Sequence, residues 1–400
     1  MNISASMKQF SINLFLHKLK FPKELRFNEI CTTCRSLANA SLKITTPFKL
    51  HRLEKGPDRQ VSVTKQDAVS MYTKMTVIRR LETIASSLYK EKAIRGFCHL
   101  YSGQEAVAVG MHAAMRKGDG LTTSYRCHPW VWLFGGTYEQ LLGELCGKVI
   151  GSSRGKGGSM HVYSKDFYGG NGIVGAQVPL GTGVGLANHY FKNGKVSFVL
   201  YGDGAANQGQ VFESYNMAKL WTLPVIYVCE NNKYGMGTSM QRSSASYTYY
   251  TRGDYIPGLQ VDGMDVLATR EATLFAIAHC IADKGPIVLE MTTYRYFGHS
   301  MSDPGTSYRS RDEVQQVRQT MDPINIFKGK IIEAKLVDKK ELQAIDESVK
   351  KDVDEALKKV RAAPPPPIEE LSADISKNNL EPYIRGTQPW QRLKHMKIAK

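Results

Sequence analysis

Two oxygen-bearing side chains, Asp203 and Asn232, each follow a short apolar segment with the composition of a β-strand. One predicted helix separates the two segments along the chain. Because the carboxyl ends of neighbouring parallel strands meet at one edge of a sheet, we expect the two side chains to converge. Carboxylate and amide oxygens suit magnesium, which usually shares its coordination shell with substrate phosphates. The pair therefore predicts a magnesium site next to a phosphate group.

The residues around Asp203 also favour a diphosphate ligand. Gly202 and Gly204 flank the carboxylate and let backbone amides approach phosphate oxygens. A helix predicted from Ala205 to Trp221 directs its partially positive amino end at the same point. Nineteen of the 35 glycines fall between residues 135 and 209, and they alternate there with apolar side chains. That mixture is unlike a flexible linker, so we expect the backbone to approach a large ligand closely.

Strands and helices that could position these residues alternate along the chain. Strands are predicted at residues 195–201, 224–229 and 286–292, and amphipathic helices at residues 64–92 and 341–360. A strand, a helix and a second strand in this order form a right-handed crossover, which makes the two strands parallel. The sequence therefore predicts an α/β fold with a mostly parallel sheet and helices on both faces.

The net charge of +16 is concentrated at the two ends of the chain. Residues 1–59 contain eleven Lys and Arg against four Asp and Glu, and residues 377–400 contain six against one. The central segment, with 36 against 32, is nearly neutral, which argues against a nucleic-acid groove. No stretch approaches about eighteen consecutive apolar residues, so we expect no membrane span.

The first segment has the composition of a mitochondrial targeting sequence, since no acidic residue precedes Glu24 and lysines alternate with Phe and Leu. We predict a transit segment at residues 1–45, an α/β domain at 46–362, and a Pro-rich linker with a basic tail at 363–400. The expected location is the mitochondrial matrix. Seven cysteines without an even framework fit a reducing compartment. Cys31 and Cys34 have the spacing of half a zinc site, but no second pair follows, and we interpret the spacing as chance.

Several longer segments resemble the pyruvate dehydrogenase alpha subunit family, and the resemblance extends from about residue 51 to beyond residue 311. They include Tyr125 and Arg126, together with residues 95–100, 103–106, 155–161, 167–177, 202–209, 230–239 and 294–304. The resemblance implies the thiamine diphosphate-binding fold, with thiamine diphosphate and Mg²⁺ as cofactors.

The resemblance also implies roles for individual residues. The implied metal ligands are Asp203, Asn232 and the carbonyl of Tyr234. The implied cofactor-binding residues also include Gly172, Val174, Gly204, Ala205, Tyr125, Arg126 and His299. The residues implied to face the diphosphate or the substrate are His99, Tyr125, Arg126 and His299. The implied phosphorylation sites are Ser239, Ser300 and Ser307.

The reaction implied by the resemblance is oxidative decarboxylation of pyruvate with reductive acetylation of lipoyl groups, which feeds acetyl-CoA synthesis. Decarboxylation of a 2-oxo acid needs a cofactor that accepts the electron pair, and thiamine does so. The implied assembly is a heterotetramer of two alpha and two beta subunits, in which beta supplies the glutamate that activates the cofactor. The other implied partners are the lipoyl domain of dihydrolipoamide acetyltransferase and the pyruvate dehydrogenase kinase and phosphatase.

The sequence leaves two alternatives open. Branched-chain 2-oxo acid and acetoin dehydrogenase alpha subunits share the magnesium motif, although residues 298–309 are more similar to the pyruvate version. A catalytically silent assembly or regulatory paralogue is the second alternative, because Ser102, Pro129 and residues 130–134 depart from the family pattern. Proline fixes a backbone dihedral and removes a donor close to Tyr125 and Arg126, so the departure concerns the substrate side.

Overall fold

The computed structural model describes residues 39–376 and 381–396. Most of the predicted transit segment, including Cys31 and Cys34, lies outside these residues. In the described part of the chain, no helix has the length and apolar character needed to cross a membrane.

The strands and helices are numbered in chain order. The strands are β1 Asn39–Lys43, β2 Lys49–His51, β3 Gln60–Thr64, β4 Gly120–Ser124, β5 Phe167–Asn171, β6 Ser197–Gly202, β7 Val225–Asn231, β8 Tyr234–Gly235, β9 Thr238–Ser239, β10 Gly258–Asp262, β11 Ile287–Thr292, β12 Tyr383–Arg385 and β13 Arg392–Lys394. The helices are α1 Lys65–Lys90, α2 Glu105–Ala114, α3 His128–Leu133, α4 Tyr138–Leu145, α5 Gln177–Phe191, α6 Gly209–Leu220, α7 Met240–Ser243, α8 Val266–Ile281, α9 Arg311–Thr320, α10 Pro323–Glu333 and α11 Lys339–Ala362.

A seven-stranded sheet lies at the centre of the domain, in the order β2-β10-β11-β7-β6-β4-β5. Every neighbouring pair is parallel except β2 and β10, which are antiparallel. The three predicted strands are β6, β7 and β11, and the two predicted amphipathic helices are α1 and α11. The mostly parallel α/β fold predicted from the sequence is confirmed.

The sheet is covered on both faces, and strand β6 shows why. Its residues alternate between two apolar cores, since Phe198 and Leu200 belong to one and Val199 and Tyr201 to the other. The first core contains the apolar faces of α1, α2 and α8, and the second contains those of α5 and α6. Successive side chains of a strand point to opposite faces, so an uninterrupted apolar strand predicts helices on both sides.

Strand β1 pairs antiparallel with β3 along its full length. Residues 39–43, at the end of the predicted transit segment, are thus part of the folded chain. The predicted helix from Ala205 to Trp221 is wrong at its start. A short 3₁₀ turn occupies Ala205–Asn207, Gln208 has an extended backbone, and α6 begins only at Gly209.

Arg79 of α1 joins three helices through buried charges. Its guanidinium donates to Glu105 at the start of α2, at 2.9 Å for Nη2 and Oε2, and it lies 2.9 Å from the Asp322 carboxylate that caps α10. The Glu105 side chain is inaccessible to solvent and that of Asp322 is nearly so. Two buried carboxylates therefore depend on one cation.

We expect Arg79→Leu to destabilise the fold by about 3–5 kcal/mol, because it leaves both buried carboxylates without a counter-charge. Thermal and denaturant unfolding measure the loss. The matched control is Lys65→Ala, which removes an ion pair with Glu341 whose two side chains are 47% and 42% exposed, and it should cost less than about 1 kcal/mol. Equal effects of the two variants would contradict the assignment.

Candidate functional site

A cavity of about 230 Å³ lies at the carboxyl ends of β6 and β7. These strands are hydrogen-bonded neighbours with Gly202 opposite Glu230, so Asp203 and Asn232 follow at the same edge of the sheet. Both side chains line the cavity. The structure thus brings together the two residues that the sequence paired.

Two buried oxygens in this cavity have no hydrogen-bond partner within the described residues: Asp203 Oδ2 and Asn232 Oδ1. Burial raises the pKa of the Asp203 carboxyl to about 6, although Arg295 and Arg126 oppose the shift. A buried polar atom without a partner is unfavourable, and a bound ligand can relieve that cost. The two oxygens therefore fit a cation.

The kind of cation is indicated by the small number of side chains that could coordinate it. Among residues 39–376 and 381–396, no group of three or more His, Cys, Asp or Glu side chains could hold a metal ion. A cation beside Asp203 and Asn232 would thus complete its shell with other oxygens. That pattern is typical of Mg²⁺ held jointly by protein and phosphate.

A chain of hydrogen bonds fixes the orientation of the Asn232 amide. Asn232 Nδ2 donates to Gln104 Oε1 at 3.1 Å, and Gln104 Nε2 donates to Glu230 Oε1 at 3.3 Å. The hydroxyl of Tyr101 also donates to Glu230 Oε1. Because Glu230 accepts a hydrogen bond from the side-chain nitrogen of Gln104, the side-chain oxygen of Gln104 must face Asn232. Asn232 then donates with its nitrogen, which leaves its oxygen free for the cation.

Two buried guanidiniums supply positive charge at the cavity. Arg126 donates to the carbonyls of Leu100 at 2.5 Å and His299 at 3.0 Å, and it is only 4% exposed. Arg295 donates to Met236 O at 2.5 Å and is 1% exposed. Neither forms an ion pair with a carboxylate in the described part of the chain. Burial, and then repulsion by Arg126, lowers the pKa of Arg295 to about 10. An anionic ligand would relieve this repulsion.

Tyr234, the third predicted metal ligand, lines the same cavity, but its carbonyl accepts a hydrogen bond from Arg295 Nη1 at 3.4 Å. Its backbone nevertheless lies close to the end of β6. A Cβ atom added to Gly204 would approach the Cα of Gly235, the next residue after Tyr234, to 3.2 Å. Glycine at position 204 thus permits this close approach.

The predicted catalytic residues His99, Tyr125 and His299 form one cluster. The ring centroids are 4.3 Å apart for His99 and Tyr125, and 5.2 Å apart for the two histidines. Burial, and then Arg126, lowers the pKa of His99 to about 2 and that of His299 to about 3. Both imidazoles are therefore expected to be neutral at pH 7, so they can form hydrogen bonds but carry no charge.

A second, outer cavity of about 610 Å³ shares Tyr125, Val174, Met236 and His299 with the first. His99, Gly172, Ser300 and Ser307 line the outer cavity and not the inner one. Ser239 lines neither; it lies in β9, whose partner strand β8 begins at Tyr234. Apart from Ser239, the predicted site residues are thus divided between an inner cavity at the strand ends and an adjoining outer cavity.

Sequence reasoning missed several residues of the inner cavity, among them Gln104, Ser124, Glu230 and Arg295. Gln104, Glu230 and Arg295 lie inside segments that carried the family resemblance, so position alone could have suggested them. The 3₁₀ turn at Ala205 brings Gly204 and Ala205 to the cavity, as predicted, but the amino end of α6 begins four residues later. Positive charge at the cavity therefore comes mainly from Arg126 and Arg295.

The profile of the dehydrogenase E1 component family matches residues 73–369. The chain belongs to this family. Dehydrogenase E1 components depend on thiamine diphosphate, so the fold and the main cofactor predicted from the sequence are confirmed.

Three relatives illustrate where the chain falls within the dehydrogenase E1 family. It is 60% identical over 342 residues, 86% of each protein, to a Caenorhabditis elegans protein named probable pyruvate dehydrogenase E1 component subunit alpha, mitochondrial. It is 59% identical over 343 residues, covering 86% of this chain and 87% of the relative, to the mitochondrial type I alpha subunit of Ascaris suum pyruvate dehydrogenase. It is 50% identical over 367 residues, covering 92% and 94%, to the mitochondrial somatic form of Homo sapiens.

Pro129, which departs from the E1 family pattern, occupies the first turn of α3. The backbone N–H groups of a first turn have no acceptor within the helix, and the fixed dihedral of proline suits this position. The cluster of His99, Tyr125 and His299 forms in its presence. The substitution therefore removes no helical hydrogen bond close to Tyr125 and Arg126.

We expect Gln104→Leu to weaken divalent-cation binding in the presence of thiamine diphosphate by about 10- to 100-fold, because Asn232 loses the partner that orients its amide. Isothermal titration measures this affinity. The matched control is Gln343→Leu on the exposed face of α11, which should leave cation affinity unchanged. Wild-type cation affinity in Gln104→Leu would contradict the orienting role.

Proposed function

We propose that this chain is the alpha subunit of a pyruvate dehydrogenase that decarboxylates pyruvate oxidatively and acetylates lipoyl groups reductively. One observation carries the proposal. Asp203 and Asn232 each have a buried oxygen at a cavity beside two buried guanidiniums, and within the described residues neither the oxygens have a hydrogen-bond partner nor the guanidiniums a carboxylate partner. That arrangement suits a cation with a diphosphate. The pyruvate dehydrogenase names of its 50–60% identical relatives favour pyruvate over branched-chain or acetoin-derived substrates.

In this proposal Asp203, Asn232 and the carbonyl of Tyr234, once released by Arg295, would hold Mg²⁺. Arg126 and Arg295 bind anionic oxygens of the cofactor or substrate, and Gly172, Val174, Gly204 and Ala205 line the space that the cofactor occupies. Bound thiamine diphosphate supplies the electron-accepting group that decarboxylation of a 2-oxo acid requires.

The residues of this chain position the reactants and keep charge in place. His99 Nδ1 has no hydrogen-bond partner among the described residues, and its ring contacts those of Tyr125 and His299. A neutral imidazole there can donate a hydrogen bond to a carboxylate or carbonyl oxygen of the 2-oxo acid. Because both histidines have strongly lowered pKa values, we infer that neither supplies a proton as an imidazolium.

The proposed beta partner is supported by apolar surface next to the cavity. Helices α5 and α6 expose Leu180, Leu186, Tyr190, Phe191 and Phe212, and Tyr190 is 78% exposed. Val174, at the entrance to α5, lines the cofactor cavity itself. Several exposed apolar side chains on two neighbouring helices are typical of a protein interface. We place the beta subunit there in a tetramer of two alpha and two beta chains; the lipoyl domain, the kinase and the phosphatase are further proposed partners.

We also propose a transit segment that ends before Asn39 and directs the chain to the mitochondrial matrix. The relatives carry mitochondrial names, and β1 begins at Asn39. The 46–362 domain assignment is extended by this strand at its amino end.

The test is to co-express the full chain with a cognate beta subunit and to assay pyruvate-dependent lipoamide acetylation with thiamine diphosphate and Mg²⁺. We expect turnover from the assembled enzyme and none from the chain alone, because the cofactor-activating acid belongs to beta. The matched variant Asp203→Asn, which keeps the shape and removes the charge, should weaken cofactor binding at least about tenfold by calorimetry. Turnover by this chain without beta would contradict the proposed two-subunit enzyme. Unaltered cofactor binding in Asp203→Asn would contradict the assignment of Asp203 as a metal ligand.

Phosphorylation of Ser300, Ser307 and Ser239 is the proposed regulation. Ser300 is 5% exposed, and its hydroxyl lies 2.8 Å from that of Ser302, with which it forms a hydrogen bond. The loop is ordered by Asp303, which accepts from His299 N at 2.6 Å and Gly305 N at 2.8 Å. Arg309 donates to the carbonyls of Arg295 and Phe297 with its two terminal nitrogens. We propose that a phosphate on the buried Ser300 displaces the loop.

We expect Ser300→Glu to lower turnover by more than about tenfold, because a buried, unpaired carboxylate costs several kcal/mol unless the loop opens. Steady-state assays measure turnover, and limited proteolysis measures opening of the loop. Ser300→Ala is the control that keeps the loop uncharged and should retain most activity. If the charged variant were fully active with a protected loop, this mode of regulation would be excluded.

A further inference from the structure

A separate cavity of about 810 Å³, here called the basic cavity, shares no lining residue with the inner or outer cavity. It lies between the segment after α1, the turn after α4, the glycine-rich loop and the end of α11. All of its charged lining residues are cations: Lys92, Arg95, Lys148, Lys156 and Arg361. Its apolar wall includes the buried side chains of Leu88, Leu145 and Val360.

Three of these five cations have no counter-charge. Lys156 lies 3.3 Å from Glu370, and Arg361 pairs with Glu91 at 2.7 Å. Within the described ranges, the side chains of Lys92, Arg95 and Lys148 form neither an ion pair nor a hydrogen bond. Like charges that converge on one cavity repel each other, so the arrangement favours an anion.

The buried carboxylate of Glu144 does not neutralise the unpaired cations either. Glu144 accepts hydrogen bonds from the backbone N–H groups of Ser153, Gly155 and Gly157 at 2.7, 2.9 and 2.7 Å. Its oxygens are thus directed into the glycine-rich loop. This contact fixes the loop backbone before any ligand binds, which lowers the ordering cost of a site built on it.

The ends of α1, α4 and α11 meet at this cavity, and helix carboxyl ends attract cations. Each end is equivalent to roughly half an elementary charge, so three ends do not balance five cations. The three unpaired side chains also donate to no backbone carbonyl in the part of the chain that the structure describes. Helix ends therefore leave most of the positive charge unexplained.

A backbone donor completes the site. Gly158 lines the cavity with a φ of 64°, and an added Cβ would meet nothing within 4 Å. No acceptor for its N–H occurs in residues 39–376 or 381–396. Free backbone amides in glycine-rich turns, together with Lys and Arg side chains, are the usual means of holding phosphate.

We propose that the basic cavity binds a phosphorylated small molecule, with its phosphate groups held by Lys92, Arg95, Lys148 and the N–H of Gly158. The apolar wall would contact the organic part. The volume falls within the range of roughly 300–1,000 Å³ that is usual for small-molecule sites, and a concave cavity suits such a ligand better than the surface of an acidic protein.

The site is connected to the active centre by the chain itself. Arg95 precedes Phe97 and His99, which line the outer cavity, and Gly158 precedes Met160, which lines it as well. A ligand held by Arg95 and Gly158 would therefore fix both segments that form one side of the outer cavity.

The test uses the assembled alpha–beta enzyme saturated with thiamine diphosphate and Mg²⁺, so that the inner cavity is filled. ADP and adenosine are titrated by calorimetry, with the free Mg²⁺ concentration matched. We expect ADP to bind and adenosine not to bind. Arg95→Ala combined with Lys148→Ala should weaken ADP binding at least about tenfold, and Lys351→Ala, at an exposed position of α11, should leave it unchanged.

Several results would overturn the proposal: no ADP binding to the saturated enzyme, equal binding of adenosine, or an unchanged affinity in the double variant. If the double variant fails to assemble, Lys148→Gln and the salt dependence of ADP binding to the wild type decide instead. Both should weaken binding, because the contacts are ionic and screened by salt. ADP affinity that is insensitive to salt and to Lys148→Gln would refute the site.

Discussion

The parallel pairing of β6 with β7 is the constraint on which the candidate site depends. Because Gly202 lies opposite Glu230, strands β6 and β7 end at the same level of the sheet. Asp203 and Asn232, which follow them, therefore lie at one edge. The register of this pairing is fixed by side chains that alternate between two buried cores. A shift of the strand by one residue would place each of these side chains in the opposite core. The position of two small polar residues is therefore secured by the apolar residues that precede them.

Charge balance explains why the interior around this edge is polar. Arg126 and Arg295 are buried with backbone carbonyls as their main acceptors. Burial, and then the charge of these arginines, lowers the pKa values of His99 and His299. Carbonyls satisfy guanidinium hydrogen bonds but do not cancel the charge. The guanidiniums at this cavity pair with no carboxylate among the described residues, and the imidazoles are neutral. The cavity is therefore preorganised for an anion, so that binding energy is not needed to reorganise the protein.

The sequence predicted the fold class, its three central strands and the pair Asp203 and Asn232, because these follow from apolar periodicity and from the geometry of parallel strands. It did not single out Gln104 or Arg295, which approach the site from distant segments, although both lie in segments that carry the family resemblance. The helix predicted to begin at Ala205 begins at Gly209 instead, because the apolar periodicity of the sequence does not predict the extended backbone at Gln208. Contacts between segments far apart in the chain are decided by packing, and local patterns do not encode them.

Arg295 connects the proposed metal site to the proposed phosphorylation loop. Its guanidinium contacts the carbonyls of Tyr234 and Met236 on one side, and His299 Nδ1 and the hydroxyl of Tyr308 on the other. Tyr308 in turn donates to Asp303, the residue that orders the loop. Release of the Tyr234 carbonyl to a cation and displacement of the loop, as proposed above, would thus act on the same buried side chain. Because one guanidinium has a limited number of donors, the two proposed changes would influence each other through Arg295.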